Sequence, residues 1–153
     1  MKRLAILLPI ILLAGLFQNT NVFNIFGIKP NLLLAVLVAA IFFLDQILEV
    51  VAALALALLI SDFRAGFAGE SAALTLLVLV SPLLSRRLPW NPFINNMVLV
   101  GGFTVVFYLL TSPGYVIGLP FGVLGEVLYN ALFAAIFYNL FNLCIRTNSM
   151  LRI

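Results

Sequence analysis

The sequence has no histidine and only one cysteine, Cys144, among its 153 residues. The missing histidine removes the commonest metal ligand and the commonest general base at neutral pH. A single cysteine cannot form an intrachain disulfide or supply a thiolate cluster for zinc or iron–sulfur. Histidine-dependent nucleophiles are therefore excluded, and we predict a chain without metal, cofactor or enzymatic activity.

Charged residues are also scarce, at 8% of the chain, and the sequence contains neither a G-x-x-x-x-G-K-[ST] nor a G-x-G-x-x-G phosphate loop. Eight lysines and arginines against five acidic residues give a net charge of +3. These cations occur singly or in pairs, whereas nucleic-acid binding needs a concentrated basic surface. We therefore expect no nucleic-acid partner, and the positions of the cations suit the edges of a membrane.

The chain is instead 65% hydrophobic, and its apolar residues form blocks separated by short polar breaks. A soluble domain of this size cannot bury so much apolar surface. In a bilayer, the outer faces of helices can be as apolar as their cores. The composition predicts an all-α, polytopic membrane protein, with residues 1–153 as a single membrane domain.

The blocks predict a bundle of six short transmembrane helices, over residues 4–17, 32–44, 50–60, 71–84, 93–110 and 126–145. The first block looks like a secretory signal, but no small-x-small cleavage triplet follows it, so we interpret it as an uncleaved span. Pro9 lies inside this block and predicts a kink. A proline- and glycine-rich stretch, residues 113–125, leads into the last block.

Residues 32–60 leave two alternatives, because Asp45 and Glu49 interrupt the apolar sequence. A single tilted helix would hold both carboxylates near the middle of the membrane, at about 2.5–3.5 kcal/mol for an aspartate. On such a helix the pair would share a face, where it could bind a cation or relay a proton. A hairpin of two helices, each of about 17 residues, would put both carboxylates in a wet turn.

The distribution of lysine and arginine favours the hairpin. With six spans and a cytoplasmic amino terminus, Lys29 and Arg64 lie outside, and six cations lie inside: Lys2, Arg3, Arg86, Arg87, Arg146 and Arg152. With one span over residues 32–60, three cations lie inside and five outside. Because positive residues are enriched on the cytoplasmic side, we predict six spans with both termini cytoplasmic.

Four further polar residues are candidates for helix-packing or partner contacts. Asp62 and Arg64 stand in the connector after the third block, where they suit a helix cap or an ion pair. Glu126 and Asn130 share one face of the last helix. They predict either a buried contact to a neighbouring or partner helix, or a wet glutamate in the first turn that the helix dipole favours.

The order of segments resembles the MreD family of rod-shape-determining membrane proteins over nearly the whole chain. The resemblance rests on a first span ending in Phe17-Gln18, then Lys29-Pro30-Asn31-Leu32-Leu33-Leu34, Leu59-Ile60-Ser61-Asp62-Phe63, a glycine-bearing connector and Ser85-Arg86-Arg87-Leu88. Asn130 in the last block also fits the pattern. Asn31 stands where this family usually has an aspartate.

The resemblance implies a non-enzymatic scaffold of the bacterial cell-elongation complex in the cytoplasmic membrane. Its expected partners are MreC-type and MreB-type proteins, the peptidoglycan synthases and the lipid bilayer. The resemblance also implies a fold like that of the substrate-binding S component of energy-coupling-factor vitamin transporters. Such an S component is the alternative function, although the first block lacks the Ala-x-x-x-Ala docking motif of those proteins and the sequence offers few polar groups for a ligand pocket.

Overall fold

A computed structural model of the protein describes residues 2–20, 22–25, 27–61 and 68–150. Within these ranges the chain is all-α, apart from an isolated bridge between Ile25 and Ile28. The described helices are α1 (Lys2–Gln18), α2 (Leu32–Ile41), α3 (Ile47–Ser61), α4 (Ala68–Ser85), α5 (Pro92–Thr111), α6 (Pro113–Gly118) and α7 (Pro120–Met150). The prediction of an all-helical chain is confirmed for the described residues.

Two helices, not one, occupy residues 32–60, because α2 ends at Ile41 and α3 begins only at Ile47. The single-helix alternative is therefore wrong. The helix that contains the predicted last span, residues 126–145, begins earlier, at Pro120. A proline is tolerated in the first turn of a helix, where its missing N–H has no helical partner, and for the same reason Pro113 begins α6.

Six of the helices run alternately between the same two ends of the molecule. At one end, the start of α1 contacts the α2–α3 turn through Arg3 and Asp45. The end of α4 reaches the same turn, because Ser85 and Arg86 line a cleft with it. At the other end, Gln18 at the end of α1 accepts a hydrogen bond from the backbone N–H of Leu32 at the start of α2. We call these the Arg3 end and the Gln18 end.

Helix α2 is the centre of the bundle. All ten of its residues are buried and apolar, and it contacts α1, α3, α4, α5 and α7. The outer helices, by contrast, leave large apolar side chains exposed: Leu59, Leu83, Leu128 and Phe121 are 67%, 66%, 65% and 86% exposed. An apolar exterior around an apolar centre is the arrangement that a hydrocarbon solvent permits.

Close packing of α1 against α3 depends on small residues. A Cβ at Gly15 would lie 2.7 Å from Cγ2 of Ile60, so a larger residue there would force the helices apart. Ala53 and Ala57 are also buried on α3. Small residues that let backbones approach are typical of helix contacts in membranes.

Helix length distinguishes α5 and α7 from the rest. Pro92–Thr111 and Pro120–Ile145 are the two described segments that are long and apolar enough to cross a membrane. The other apolar helices are shorter, and α2, with 10 residues, is only about 15 Å long at 1.5 Å per residue. The lengths are compatible with a membrane protein, and the six-span arrangement stays a prediction.

Candidate functional site

The candidate residues of α7 face into the bundle, whereas Asp62 and Arg64 lie outside the described residues. Glu126 is 5% exposed and Asn130 is fully buried. Both lie where α7 packs against α5, together with Asn96 and Thr104 of α5. We call this buried line of polar side chains the polar seam.

Asn130 joins three helices through hydrogen bonds at both of its side-chain polar atoms. Its Nδ2 donates to Oγ1 of Thr104 at 2.9 Å, and its Oδ1 accepts from the backbone N–H of Asn31 at 2.6 Å. Thr104 in turn donates to the carbonyl of Val100 at 2.8 Å. The amide thus connects α7 with α5 and with the start of α2.

Three side chains bind backbone N–H groups at the start of α2: its N-cap residue Asn31, Gln18 of α1 and Asn130 of α7. Asn31 is the N-cap residue, and its Oδ1 accepts from the N–H of Leu34 at 3.0 Å. Gln18 accepts from the N–H of Leu32 at 2.6 Å. The first N–H groups of a helix have no helical partner, and leaving them unpaired away from water is costly. Gln18, Asn31 and Asn130 remove that cost.

The sequence analysis missed the part of the seam nearest the Arg3 end. There Asn96 donates from Nδ2 to the carbonyl of Ala134 at 2.9 Å, and Asn95 donates to the carbonyl of Leu88 at 3.2 Å. The Oδ1 atoms of both asparagines are buried without a partner among the described residues. Two adjacent asparagines inside an apolar block were the signal that could have found them.

Glu126 is not the wet, first-turn residue that the alternative interpretation predicted. It lies in the second turn of α7 because the helix begins at Pro120, and it is buried. The hydroxyl of Tyr115 on α6 donates to its Oε1 at 3.0 Å. Burial and the hydrogen bond to Glu126 raise the pKa of Tyr115, so its hydroxyl stays protonated at neutral pH.

The rest of the environment of Glu126 is only partly polar. The hydroxyl of Tyr108 on α5 also faces the carboxyl. Among the described residues, Oε2 of Glu126 has no partner at all. One oxygen of the carboxyl thus has a hydrogen-bond partner and the other has none. In the Asn130 amide, one turn further along α7, both polar atoms have partners.

The Asp45 and Glu49 carboxyls are separated by the structure. Asp45 lies in the α2–α3 turn, where it is exposed and forms an ion pair of 2.8 Å with Arg3. Glu49 is in the first turn of α3 and is only 5% exposed. The wet-turn interpretation thus describes Asp45, whereas the Glu49 side chain is covered at the first turn of α3.

The chemistry available to these residues is hydrogen bonding and charge. Within the described ranges, no three aspartate, glutamate, cysteine or histidine side chains gather as metal ligands. Comparison of the chain with protein-family models, with curated proteins and with solved structures finds no match. The function must therefore be argued from the site and the surface.

Proposed function

We propose that the protein is a non-enzymatic membrane scaffold of a bacterial cell-elongation complex, with six spans and both termini in the cytoplasm. Within the complex it would hold MreC-type and MreB-type proteins beside the synthases that build the lateral wall. The sequence resemblance to MreD suggests this role. The observation that carries the proposal is an apolar groove on the outer face of α7.

The groove has a volume of about 310 Å³ and an almost wholly apolar lining: Ile25, Ile28, Gly125, Leu128, Tyr129 and Leu132. Its α7 residues follow the i, i+3, i+4, i+7 spacing of one helical face. A groove of this kind suits a partner's transmembrane helix, because lateral association in lipid depends on van der Waals fit. Gly125 contributes to the shape by leaving room for Ile28.

The position of the described cations supports the proposed orientation. Arg3, Arg86 and Arg87 belong to the Arg3 end, where Arg3 and Arg86 border the α2–α3 turn. Lys29 belongs to the Gln18 end, next to the start of α2. An excess of arginine at one end favours that end for the cytoplasm.

The polar seam supports a holding role, since it fixes the helices that carry the groove. Asn96 and Asn130 connect α5 with α7, and Asn130 also connects α7 with the start of α2. A groove on rigid helices keeps its shape, which lowers the ordering cost of binding a partner.

Depletion in a rod-shaped bacterial host tests the role, and we expect the cells to become round. At the molecular level, Leu128→Trp fills the groove and is expected to abolish co-purification with an MreC-type protein in detergent. Leu109→Trp, which alters an exposed leucine on α5 instead, is the matched control and is expected to retain the partner. Normal rod shape on depletion contradicts the proposal.

A second candidate, the S component of a vitamin transporter, is favoured by one observation. The side chains of Tyr108, Tyr115 and Glu126 converge from three helices at the Gln18 end, as a ligand site requires. Tight retention of a vitamin by the purified protein, together with normal cell shape on depletion, would favour this candidate over the scaffold.

A further inference from the structure

Among the described residues, four buried side chains have a polar atom without a partner, namely Ser71, Asn95, Asn96 and Glu126, and Glu126 is the acidic one. It is 95% buried, one oxygen accepts a hydrogen bond from Tyr115, and Oε2 has no partner among the described residues. Buried polar atoms in native proteins are nearly always hydrogen-bonded, so an orphaned carboxylate oxygen needs a specific explanation. A binding site whose ligand completes the carboxyl supplies that explanation.

The charges around Glu126 indicate a cationic ligand. The groups that face it are the hydroxyls of Tyr108 on α5 and Tyr115 on α6, and Glu70 on α4 adds a further negative charge that acts on Tyr108. No lysine or arginine of the described ranges forms an ion pair with Glu126. An isolated buried carboxylate is costly, and an opposite charge reduces that cost.

The neighbouring rings favour an organic cation over a bare metal ion. The rings of Tyr108 and Tyr115 lie 5.3 Å apart and are tilted by 50°, beside the carboxyl. Aromatic faces attract ammonium groups, and a carboxylate supplies the matching charge. A divalent metal would need several more oxygen ligands, and the described residues gather no such set around Glu126.

Helix α6 offers the path of entry. Tyr115, which covers the carboxyl, belongs to this short helix, and none of the residues of α6 is buried. Gly114 and Gly118 lie near its two ends in open space, and prolines stand at 113 and 120. Because no residue of α6 is buried, moving Tyr115 aside would expose no buried apolar side chain of that helix.

We propose that Glu126, Tyr108 and Tyr115 form a binding site for a small organic ammonium group, with Oε2 of Glu126 facing the ammonium and α6 as its cover. The site lies at the Gln18 end, on a different face of α7 from the groove. It goes beyond the scaffold role and does not rest on it, because binding by the purified protein and cell shape are measured separately.

Titration of the detergent-purified protein with methylammonium chloride, followed by the Tm, tests the site. We expect a saturable rise of the Tm in the wild type that sodium chloride at equal ionic strength does not produce. Glu126→Gln is expected to weaken binding by about tenfold or more, the usual effect of losing a charged hydrogen bond. Glu49→Gln, the same substitution at an equally buried glutamate of the opposite end, is expected to leave the rise unchanged.

A second variant keeps the test decisive if Glu126→Gln fails to fold. Tyr115→Ala removes a ring and a hydroxyl from a helix without buried residues, and it is expected to weaken methylammonium binding. Ile117→Ala, at an 83% exposed position of the same helix, is the matched control. An equal rise with sodium chloride overturns the organic ligand in favour of an inorganic cation, and no saturable rise in the wild type overturns the site.

Discussion

Asn130 and Glu126 are one turn apart on the same face of α7, both are buried, and yet their surroundings differ in one respect. Both polar atoms of the Asn130 side chain have partners, on α2 and α5. The Glu126 carboxyl accepts a hydrogen bond from α6, a helix without buried residues, and its Oε2 has no partner among the described residues. Asn130 therefore stabilises the bundle through both of its polar atoms, whereas Glu126 places an unpartnered acidic oxygen beside two tyrosine rings, where a cation could complete it.

The largest effect is expected from removing the completed group. Asn130→Leu leaves the part-buried N–H of Asn31 without its partner and removes the donor to Thr104, whose hydroxyl keeps its bond to Val100, and should lower the free energy of unfolding by about 2–3 kcal/mol. Denaturant titration in detergent measures the loss. Asn139→Leu, an exposed position on the same helix, is the control and should change stability by less than about 0.5 kcal/mol. Equal losses of unfolding free energy in Asn130→Leu and Asn139→Leu would contradict a stabilising role for the hydrogen bonds of Asn130.

A smaller effect is expected at the other side chain that caps α2. Gln18→Ala leaves the N–H of Leu32 unpaired and should cost about 1 kcal/mol, as the loss of a helix cap does. Gln46→Ala alters an exposed glutamine in the α2–α3 turn and should be nearly neutral. If Gln18→Ala is as neutral as its control, the start of α2 does not need the pairing that we assign to it.

The cover over Glu126 can be displaced with little change in stability. A Cβ at Gly122 would lie 2.9 Å from the hydroxyl of Tyr115, the free end of a flexible side chain, so Gly122→Ala should move Tyr115 off the carboxyl. We expect faster modification of Glu126 by a hydrophobic carbodiimide, measured by peptide mass spectrometry. Gly102→Ala, where a Cβ meets open space, is the control. An unchanged modification rate in Gly122→Ala would show that Tyr115 does not cover Glu126.

The smallest effect is expected from the exposed ion pair. Arg3 and Asp45 have side chains that are 49% and 72% exposed, and such pairs contribute about 0–1 kcal/mol. Asp45→Asn should therefore shift the unfolding midpoint by far less than Asn130→Leu, and the shift should shrink in high salt. A loss comparable to that of Asn130→Leu would mean that burial does not decide which polar contacts matter here.

The sequence predicted the all-helical class and most helix positions, since long apolar blocks and polar breaks are local signals. It also singled out the face of α7 that carries Glu126 and Asn130. It could not predict that α2 is the buried centre. In a chain that is 65% hydrophobic, a central helix and an outer helix have equally apolar sequences.

Local sequence patterns also could not predict the environments of the Glu49 and Glu126 carboxyls. One interpretation of the sequence placed Glu126 in a solvated first turn, because Pro120 and Gly122 suggested a loop before it. In the structure α7 begins at Pro120, and Glu126 is buried in its second turn. Glu49 was placed with Asp45 in a turn, although α3 resumes early enough to bury it. The partners of Asn130 lie 26 and 99 positions away in the sequence, so only the fold brings them together.

The most direct test compares Glu126→Gln with Asn130→Leu in one detergent, with and without saturating methylammonium. We expect Asn130→Leu to lower the Tm strongly and to keep its rise with methylammonium. Glu126→Gln should leave the Tm near that of the wild type and lose the rise. A Glu126→Gln variant that is as destabilised as Asn130→Leu, and that still responds to methylammonium, would contradict the distinction between the two groups.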